Sequence, residues 1–241
     1  MVKLIGDTGV DFLLGTNGAD ELHGAGGNDT LRGGFGGDSL FGDAGSDSAD
    51  YRDSTTAVEV HLSGGGRLGL GYGRGGTAEG DLLIGIVGAP GGGAGVKHYG
   101  TDGANLFDGG AGADEIRAYK GADGITGGAS GDTMWGGEGA DTFRYSFGDS
   151  DPGNQRDLIK DFSHAQGDRI DLGMIFGPVS PSLYAFTFVG KDDADDPGEV
   201  GYHFSGNRTI VEVNADSDAA VELEIELSGK IDLVAGDFLH F

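Results

Sequence analysis

The chain has 241 residues, enough for one large domain or two small ones. Its 52 glycines occur with only five prolines, which excludes collagen, and the lack of cysteine excludes a disulfide framework and a thiolate metal site. The 40 acidic and 15 basic residues give a formal charge of -25, which repels nucleic acid and anionic membranes and attracts cations.

A nine-residue repeat begins at residue 6 and continues to residue 50. Its five units read GDTGVDFLL, GTNGADELH, GAGGNDTLR, GGFGGDSLF and GDAGSDSAD, with glycine at positions one and four and aspartate at position six. Because glycine accepts φ > 0 without strain, six residues of each unit predict a turn. The other three predict a short strand whose middle side chain points inward. These inward positions are Leu13, Leu22, Leu31, Leu40 and Ala49.

The repeat places acidic side chains where they can hold metal ions. If two units form one coil of a parallel roll, unit n stacks on unit n+2, and the sixth-position carboxylates of adjacent coils face each other. Backbone carbonyls and two carboxylates supply the hard oxygen ligands that calcium prefers, whereas magnesium demands a more rigid octahedron. The predicted pairs in this first block are Asp11 with Asp29, Asp20 with Asp38, and Asp29 with Asp47.

The segment after the first block lacks the repeat. Val58–Leu62 alternates between apolar and polar residues and predicts a strand, and the glycine-rich run Gly64–Gly76 predicts a loop. Asp81–Val87 predicts a second, apolar strand. Gly91–Tyr99 is a degenerate unit in which Val96 takes the place of the acid. We expect this insert to dock on the roll rather than to form a separate domain.

A second block of five units runs from Gly100 to Arg144. It reads GTDGANLFD, GGAGADEIR, AYKGADGIT, GGASGDTMW and GGEGADTFR, with apolar residues at position eight. The first of these units carries asparagine at position six, so its site has one carboxylate fewer and should bind calcium most weakly. The predicted pairs are Asn105 with Asp123, Asp114 with Asp132, and Asp123 with Asp141.

These units resemble the GGxGxDxUx repeat of the RTX, or haemolysin-type, calcium-binding family. The resemblance covers residues 6–50 and 100–144. It implies a right-handed parallel β-roll with calcium between the turns, and export by a type I secretion system. The ligands that it implies are Asp11, Asp20, Asp29, Asp38, Asp47, Asn105, Asp114, Asp123, Asp132 and Asp141.

The residues after Arg144 resemble the segment that caps the roll in serralysin-type C-terminal domains. In that family, acids that match Asp149 and Asp157 ligate a further calcium ion. Two alternating strands are predicted at Thr209–Val213 and Val221–Leu227. The last residues, Gly236-Asp237-Phe238-Leu239-His240-Phe241, resemble the uncleaved C-terminal signal of type I exported proteins, although an ordinary last strand would have the same pattern.

We therefore expect an all-β, right-handed parallel β-roll with calcium between its turns and a C-terminal β cap. The predicted parts are a first roll block (1–50), a β insert (51–99), a second roll block (100–145), and a cap with the secretion-signal region (146–241). No run of the sequence is long and apolar enough for a membrane span.

Three functions fit these features. The first is an extracellular calcium-binding module that binds several calcium ions, folds on them after type I secretion, and has no catalytic activity of its own. The second is the non-catalytic C-terminal part of a secreted metalloprotease, lipase or alginate epimerase. The third is a calcium-dependent adhesin or polysaccharide-binding protein, since aromatic residues at outward or turn positions can stack on sugar rings: Phe35, Tyr99, Tyr119 and Trp135.

Overall fold

The computed structural model describes residues 1–62, 71–79, 81–153, 155–175, 186–192, 194–215 and 220–239. These residues form β-strands and short 3-10 turns at Gly76–Ala78 and Ala235–Asp237. The strands are β1 (Lys3–Ile5), β2 (Phe12–Leu14), β3 (Glu21–His23), β4 (Thr30–Arg32), β5 (Ser39–Phe41), β6 (Asp47–Ala49), β7 (Glu59–His61), β8 (Gly71–Arg74), β9 (Leu82–Ile84), β10 (Ile86–Pro90), β11 (Lys97–Thr101), β12 (Leu106–Asp108), β13 (Glu115–Tyr119), β14 (Gly124–Thr126), β15 (Thr133–Trp135), β16 (Thr142–Ser146), β17 (Asp157–Ile159), β18 (Arg169–Met174), β19 (Thr187–Gly190), β20 (Glu199–Ser205), β21 (Arg208–Asn214), β22 (Leu223–Ser228) and β23 (Phe238–Leu239).

Two sheets run along the roll. In the described part of the chain, the first has the strand order β1-β3-β5-β9-β8-β7-β11-β13-β15-β17-β22-β21-β20-β19, and the second has the order β2-β4-β6-β10-β12-β14-β16-β18-β23. Within each repeat block, paired strands are parallel and offset by 18 residues, as in Leu4 with Leu22 and Leu13 with Leu31. This offset equals two repeat units. The predicted parallel β-roll, with unit n on unit n+2, is confirmed.

The core of the roll is a stack of eighth-position side chains from both sheets. These side chains are at most 1% exposed from the second unit onward, whereas Leu13 of the first coil is only partly buried. Each three-residue strand buries its middle residue because successive side chains point to opposite faces of a sheet. The buried set is Leu22, Leu31, Leu40, Ala49, Phe107, Ile116, Ile125, Met134 and Phe143.

The segment between the repeat blocks contributes strands to both sheets. In the first sheet, β7 pairs in parallel with β11 and antiparallel with β8, and β8 leads through β9 back to β5. The prediction of one strand at Asp81–Val87 is wrong, because Gly85 has φ 69° and the chain turns there from β9 in the first sheet to β10 in the second. Part of the loop predicted at Gly64–Gly76 is strand β8, and residues 63–70 lie outside the described residues.

The C-terminal strands cover the last coil of the roll. β22 pairs in parallel with β17 and then continues into the antiparallel strands β21 and β20, while β23 pairs with β18 in the second sheet. A covered edge leaves fewer unpaired backbone groups on which another chain could pair. The last two residues of the predicted secretion signal, His240 and Phe241, lie outside the described residues. Within the described residues, the structure has no helix long and apolar enough to cross a membrane.

Candidate metal sites between stacked turns

The sixth-position residues of the repeats form two rows, one beside each sheet. In every predicted pair, the backbone N–H of the earlier residue donates a hydrogen bond to the side chain of the residue 18 positions later. The bonds join Asp11 N to Asp29 Oδ1 (2.9 Å), Asp20 N to Asp38 Oδ1 (2.8 Å), Asp29 N to Asp47 Oδ1 (2.8 Å), Asn105 N to Asp123 Oδ1 (2.7 Å), Asp114 N to Asp132 Oδ1 (2.7 Å) and Asp123 N to Asp141 Oδ1 (2.9 Å). The structure therefore brings together all six pairs that the nine-residue period predicted.

The second carboxylate oxygen of most of these aspartates is buried and accepts no hydrogen bond. A buried charged oxygen without a donor is strongly unfavourable unless a cation neutralises it. Among the described residues, this holds for Oδ2 of Asp29, Asp38, Asp47, Asp114, Asp123, Asp132, Asp141 and Asp157. Oxygen atoms arranged in this way fit a divalent cation with a preference for hard ligands, and calcium is such a cation.

The first glycine of a turn lies against these oxygens. A Cβ atom on Gly24 would overlap Oδ2 of Asp29 and approach the carbonyl oxygen of Gly42 in the next coil at 2.7 Å. At Gly127, a Cβ would meet Oδ2 of Asp132 and, at 3.0 Å, Oδ2 of Asp157. The absence of a side chain at the first position thus leaves carboxylate and carbonyl oxygens facing a common space, which matches the ligand set of a calcium site.

Burial raises the pKa of the aspartates in this space. It raises the pKa of Asp114 to about 7, that of Asp132 to about 8 and that of Asp157 to about 9. The neighbouring carboxylates add to the effect, because Asp114 and Asp149 raise the pKa of Asp132 and because Asp132 and Asp149 raise that of Asp157. In the absence of a cation, these side chains therefore resist ionisation near neutral pH.

In the other three sixth-position residues, a side-chain oxygen is occupied by a protein donor. Asp11 Oδ2 accepts the N–H of Asp7 at 2.7 Å. Asp20 Oδ2 accepts both the N–H and the hydroxyl of Thr16, at 2.7 and 2.6 Å. Asn105 Oδ1 likewise accepts the N–H of a threonine, at 2.8 Å, while its Nδ2 donates a hydrogen bond to a backbone carbonyl oxygen of the insert at 3.2 Å. Their geometry differs from that of the other seven sixth-position residues.

The two acids of the predicted cap site interact electrostatically. Asp157 Oδ1 accepts the N–H of Asp132 at 2.8 Å, so Asp157 extends the row of the first sheet. Asp149 accepts the N–H of Ser146 through Oδ2 at 2.5 Å, and burial raises its pKa. Since its charge also raises the pKa of Asp157, the two carboxylates share one electrostatic environment.

Two aspartates that the sequence analysis did not assign as ligands also belong to the rows. Asp81 Oδ1 accepts the N–H of Asp38 at 2.9 Å, and Asp168 Oδ1 accepts that of Asp141 at 3.1 Å. Their second oxygens are occupied, by the hydroxyl of Tyr51 and by the N–H of a serine. The sequence signal was a shortened unit, in which Gly-Asp is followed two residues later by an apolar residue.

The insert interrupts the row of acids beside the first sheet. Between the strand of Asp81 and that of Asp114, the paired strands β7 and β11 are preceded by Val58 and Val96. Val96 keeps the backbone contact, since its N–H donates to Asp114 Oδ1 at 2.6 Å, but it provides no carboxylate. The acids therefore fall into two separate groups, one for each repeat block.

A search of family profiles matches the RTX calcium-binding nonapeptide repeat in four copies, at residues 5–40, 14–49, 99–134 and 125–150. The chain belongs to the RTX family. Its two repeat blocks coincide with the matched residues, and calcium is the metal that these repeats bind. No curated protein matches the sequence closely enough to count as a relative.

Solved structures similar to this RTX chain include two subunits of the mannuronan C5-epimerase of Azotobacter vinelandii. The AlgE6R3 subunit is 30% identical over 61% of this chain and 79% of its own, with a TM-score of 0.47. The AlgE6R2 subunit is 27% identical over 61% and 91%, with a TM-score of 0.41. The extracellular lipase LipA of Serratia marcescens is 17% identical over 98% of this chain and 39% of its own, with a TM-score of 0.32.

The raised pKa values predict opposite pH dependences for the RTX roll with and without metal. An unfolded aspartate has a pKa of about 3.9, whereas in the roll the pKa of Asp114 is about 7 and that of Asp132 about 8. Between these values the folded chain binds more protons than the unfolded chain, so its free energy of unfolding falls as the pH rises. In calcium-free buffer we expect greater resistance to urea at pH 5.5 than at pH 8. Calcium affinity should instead increase as the pH rises, because protons compete with calcium for the ligands.

Asp132→Asn supplies the control for this prediction. The amide is neutral at every pH in the range, so the calcium-free variant should gain less stability on acidification than the parent chain. Urea unfolding followed by circular dichroism measures both. Greater stability of the calcium-free parent at pH 8 than at pH 5.5 would contradict the assignment of buried carboxylates with raised pKa values.

Proposed function

We propose that this chain is an extracellular calcium-binding module that folds on calcium after type I secretion and has no catalytic activity of its own. The observation that carries the proposal is the set of buried Oδ2 atoms without a hydrogen-bond donor. Seven of them lie on sixth-position aspartates of the two repeat blocks, and the eighth is on Asp157. Within the described chain, Oδ1 of each of these carboxylates accepts one backbone N–H, whereas Oδ2 has no protein cation or donor that would stabilise the ionised form.

A calcium gradient across the cell envelope would make the chain bind calcium only after export. Extracellular calcium modules typically have dissociation constants of about 10⁻⁴–10⁻³ M. Sites of that strength are empty in the cytosol and filled outside the cell. The chain would then pass an exporter unfolded and acquire its roll on arrival, because binding free energy becomes folding free energy when the site exists only in the folded state. This role is the same whether the module acts alone or continues a longer secreted enzyme.

Isothermal titration calorimetry with calcium tests this function. We expect several ions per chain, dissociation constants in the range of about 10⁻⁴–10⁻³ M, and a large heat of coupled folding that magnesium does not produce at the same concentration. Circular dichroism recorded along the same titration should show β structure rising with occupancy. Binding that is complete at submicromolar calcium would contradict folding after export, since the sites would then fill inside the cell.

A second candidate function, polysaccharide binding, is favoured by a row of rings and cations on the outer face of the first sheet. The ring of His61 stacks on Tyr72 and on Tyr99, with 4.2 Å between centroids in both cases. The guanidinium of Arg117 lies 4.4 Å from the ring centre of Trp135. The members of this aromatic–cationic row come from adjacent strands and are all half-buried: Tyr72, His61, Tyr99, Arg117, Trp135 and Lys160.

Grooves of about 420, 470 and 260 Å³ lie next to this row, and neighbouring grooves share lining residues. Five basic and six acidic residues line them, and Lys97 and Arg117 pair with Glu115 in the grooves. An elongated surface with ring faces and charged side chains suits a sugar chain, since aromatic faces pack on apolar sugar faces and charged groups form hydrogen bonds with hydroxyls. The five basic residues are Arg74, Lys97, Arg117, Lys120 and Lys160.

Trp135 is the only tryptophan of the chain, so its fluorescence reports on this surface directly. In calcium, titration with neutral and with uronic-acid oligosaccharides should change the emission for the series that binds. Trp135→Ala should weaken that binding, measured by calorimetry, by about tenfold. Phe35→Ala is the matched control, because Phe35 is an exposed turn residue outside the row. Equal affinities for the two variants, or no binding by either series, would exclude this function.

A further inference from the structure

The turns of the two repeat blocks occur in two forms, which differ at the second residue. In the first form, here called the open turn, this residue has a positive φ. Its N–H then does not bond the sixth-position side chain of its own unit, and that side chain keeps a buried Oδ2 without a donor. The second residues of the open turns are Ala25 (φ 73°), Gly34 (96°), Asp43 (64°), Gly110 (91°), Tyr119 (76°), Gly128 (96°) and Gly137 (99°).

The other form, the closed turn, occurs in the units that begin at residues 6, 15 and 100. The second residue is not in the positive-φ region, and its N–H donates to the sixth-position side chain of the same unit. In each closed turn, the second side chain also accepts the N–H of the fourth residue. Those bonds join Gly9 to Asp7 (2.6 Å), Gly18 to Thr16 (3.3 Å) and Gly103 to Thr101 (3.1 Å). All ten units therefore divide by one local feature into seven open and three closed turns.

The residue types account for part of this division, since threonine occurs at the second position of closed turns alone whereas aspartate occurs in both forms. A β-branched threonine is strongly disfavoured at positive φ, and its hydroxyl can replace a backbone group in a tight turn. Glycine accepts positive φ freely, and aspartate tolerates it, which is consistent with the open turn at Asp43. Thr16 adds a second bond to Asp20, through its hydroxyl, and this bond is the main cause that lowers the pKa of Asp20. By contrast, burial raises the pKa of Asp38, which belongs to an open turn.

We propose that only open turns contribute their sixth-position carboxylate to calcium, and that Asp11, Asp20 and Asn105 are structural caps whose oxygens are occupied by the second residue of their own turn. The inference rests on calcium binding by the repeats and adds the rule that selects the ligands. A cation at Asp20 would have to displace two hydrogen bonds from Thr16, and Oδ1 of the same carboxylate accepts the N–H of Val2 at 2.6 Å. At Asp38 the cation displaces none from Oδ2.

The proposal is tested by comparing Asp20→Asn with Asp38→Asn in the full chain. The two residues occupy the same position of units that stack in adjacent coils, and Asp20 N donates to Asp38 Oδ1. Native mass spectrometry at saturating calcium counts the bound ions. We expect Asp20→Asn to bind as many ions as the parent chain and Asp38→Asn to bind at least one fewer. Loss of an ion from Asp20→Asn equal to that from Asp38→Asn would overturn the proposal.

A second pair of variants tests the role of the closed turn itself. Thr16→Gly removes the hydroxyl and permits positive φ, so the turn can open and Asp20 becomes available. We expect this variant to bind calcium more tightly or to bind one additional ion. Thr16→Ser keeps a hydroxyl and should behave like the parent chain. Identical calcium binding by the glycine and serine variants would overturn the proposal. If the parent chain bound no calcium at all, the proposed function would fail, and that outcome is distinct from either of these.

Discussion

Removal of calcium at pH 7.5 is expected to abolish most of the β structure of the roll. In the second block, the row beside the first sheet places Asp114, Asp132 and Asp157 on adjacent strands. Neighbouring strands lie about 4.8 Å apart, and two unit charges at that distance repel by about 3 kcal/mol at an effective dielectric constant of 20. Without calcium, each pair must either bear this repulsion or bind a proton at a pH far above the pKa of a free aspartate, and both destabilise the folded roll at pH 7.5. Calcium replaces the repulsion by attraction.

The short strands cannot offset that cost. Each repeat strand buries only one side chain in the core, whereas all nine residues of the unit lose conformational freedom when the turn and strand form. Backbone pairing recovers part of this loss, and the metal supplies the remainder. We therefore expect the far-UV circular dichroism of the chelated chain to be that of a largely unfolded protein, and we expect full recovery when calcium is added back.

Magnesium is the control for this experiment. It carries the same charge but requires octahedral coordination and retains its water, so it should restore little of the β signal at equal concentration. An unchanged spectrum in chelator at pH 7.5 would show that the roll is stable on packing alone, and the proposed coupling of folding to calcium would then be wrong.

Gly139→Ala is expected to cause one of the largest losses of stability among single substitutions in the turns. Gly139 is the fourth residue of its unit, at φ 138°, and a Cβ there would overlap the carbonyl oxygen of Gly121 in the coil below. The backbone of Gly139 and the carbonyl group of Gly121 belong to stacked turns, so neither can move without separating the coils. We expect a loss of at least about 3 kcal/mol, and a thermal midpoint in calcium that is roughly 6–12 °C lower.

Gly18→Ala is the matched control for this substitution. Gly18 also stands at the fourth position of its unit, but its φ is not in the positive range and a Cβ there would have no neighbour within 4 Å. Its thermal midpoint should stay close to that of the parent chain. If the two alanine variants melted at the same temperature, the close approach of successive turns would not be a constraint on the fold.

The sequence predicted the roll because its information is local and periodic. Glycine at positions one and four, aspartate at six and an apolar residue at eight specify turn, ligand and core separately in every unit. One such unit suffices to place Leu31 inward and Asp29 at the turn, and the 18-residue offset between paired strands follows from the period. All six pairs of sixth-position residues were predicted on this basis, and the structure brings each pair together.

Features that depend on contacts between distant residues could not be predicted in this way. Asp81 joins the row through a bond to the backbone of Asp38, 43 residues earlier, and nothing in the local pattern fixes that distance. Gly85 ends one strand and starts another in the opposite sheet, yet its neighbours form one continuous apolar run. The closed turns had a visible signal, since Thr16 and Thr101 replace the consensus glycine, but its meaning depends on hydrogen bonds that only the structure shows.

The gap in the row of acids at Val58 and Val96 has a consequence for how the chain responds to rising calcium. In a stacked array, each unit is influenced mainly by its nearest neighbours, so assembly spreads along an uninterrupted run and stops where the coupling is lost. Beside the first sheet, the two acidic runs are separated by strands β7 and β11, where Val58 and Val96 occupy the positions of the acids. Ion uptake should therefore be cooperative within each half of the molecule and nearly independent between halves, and the saturation curve should show two steps where the affinities of the halves differ.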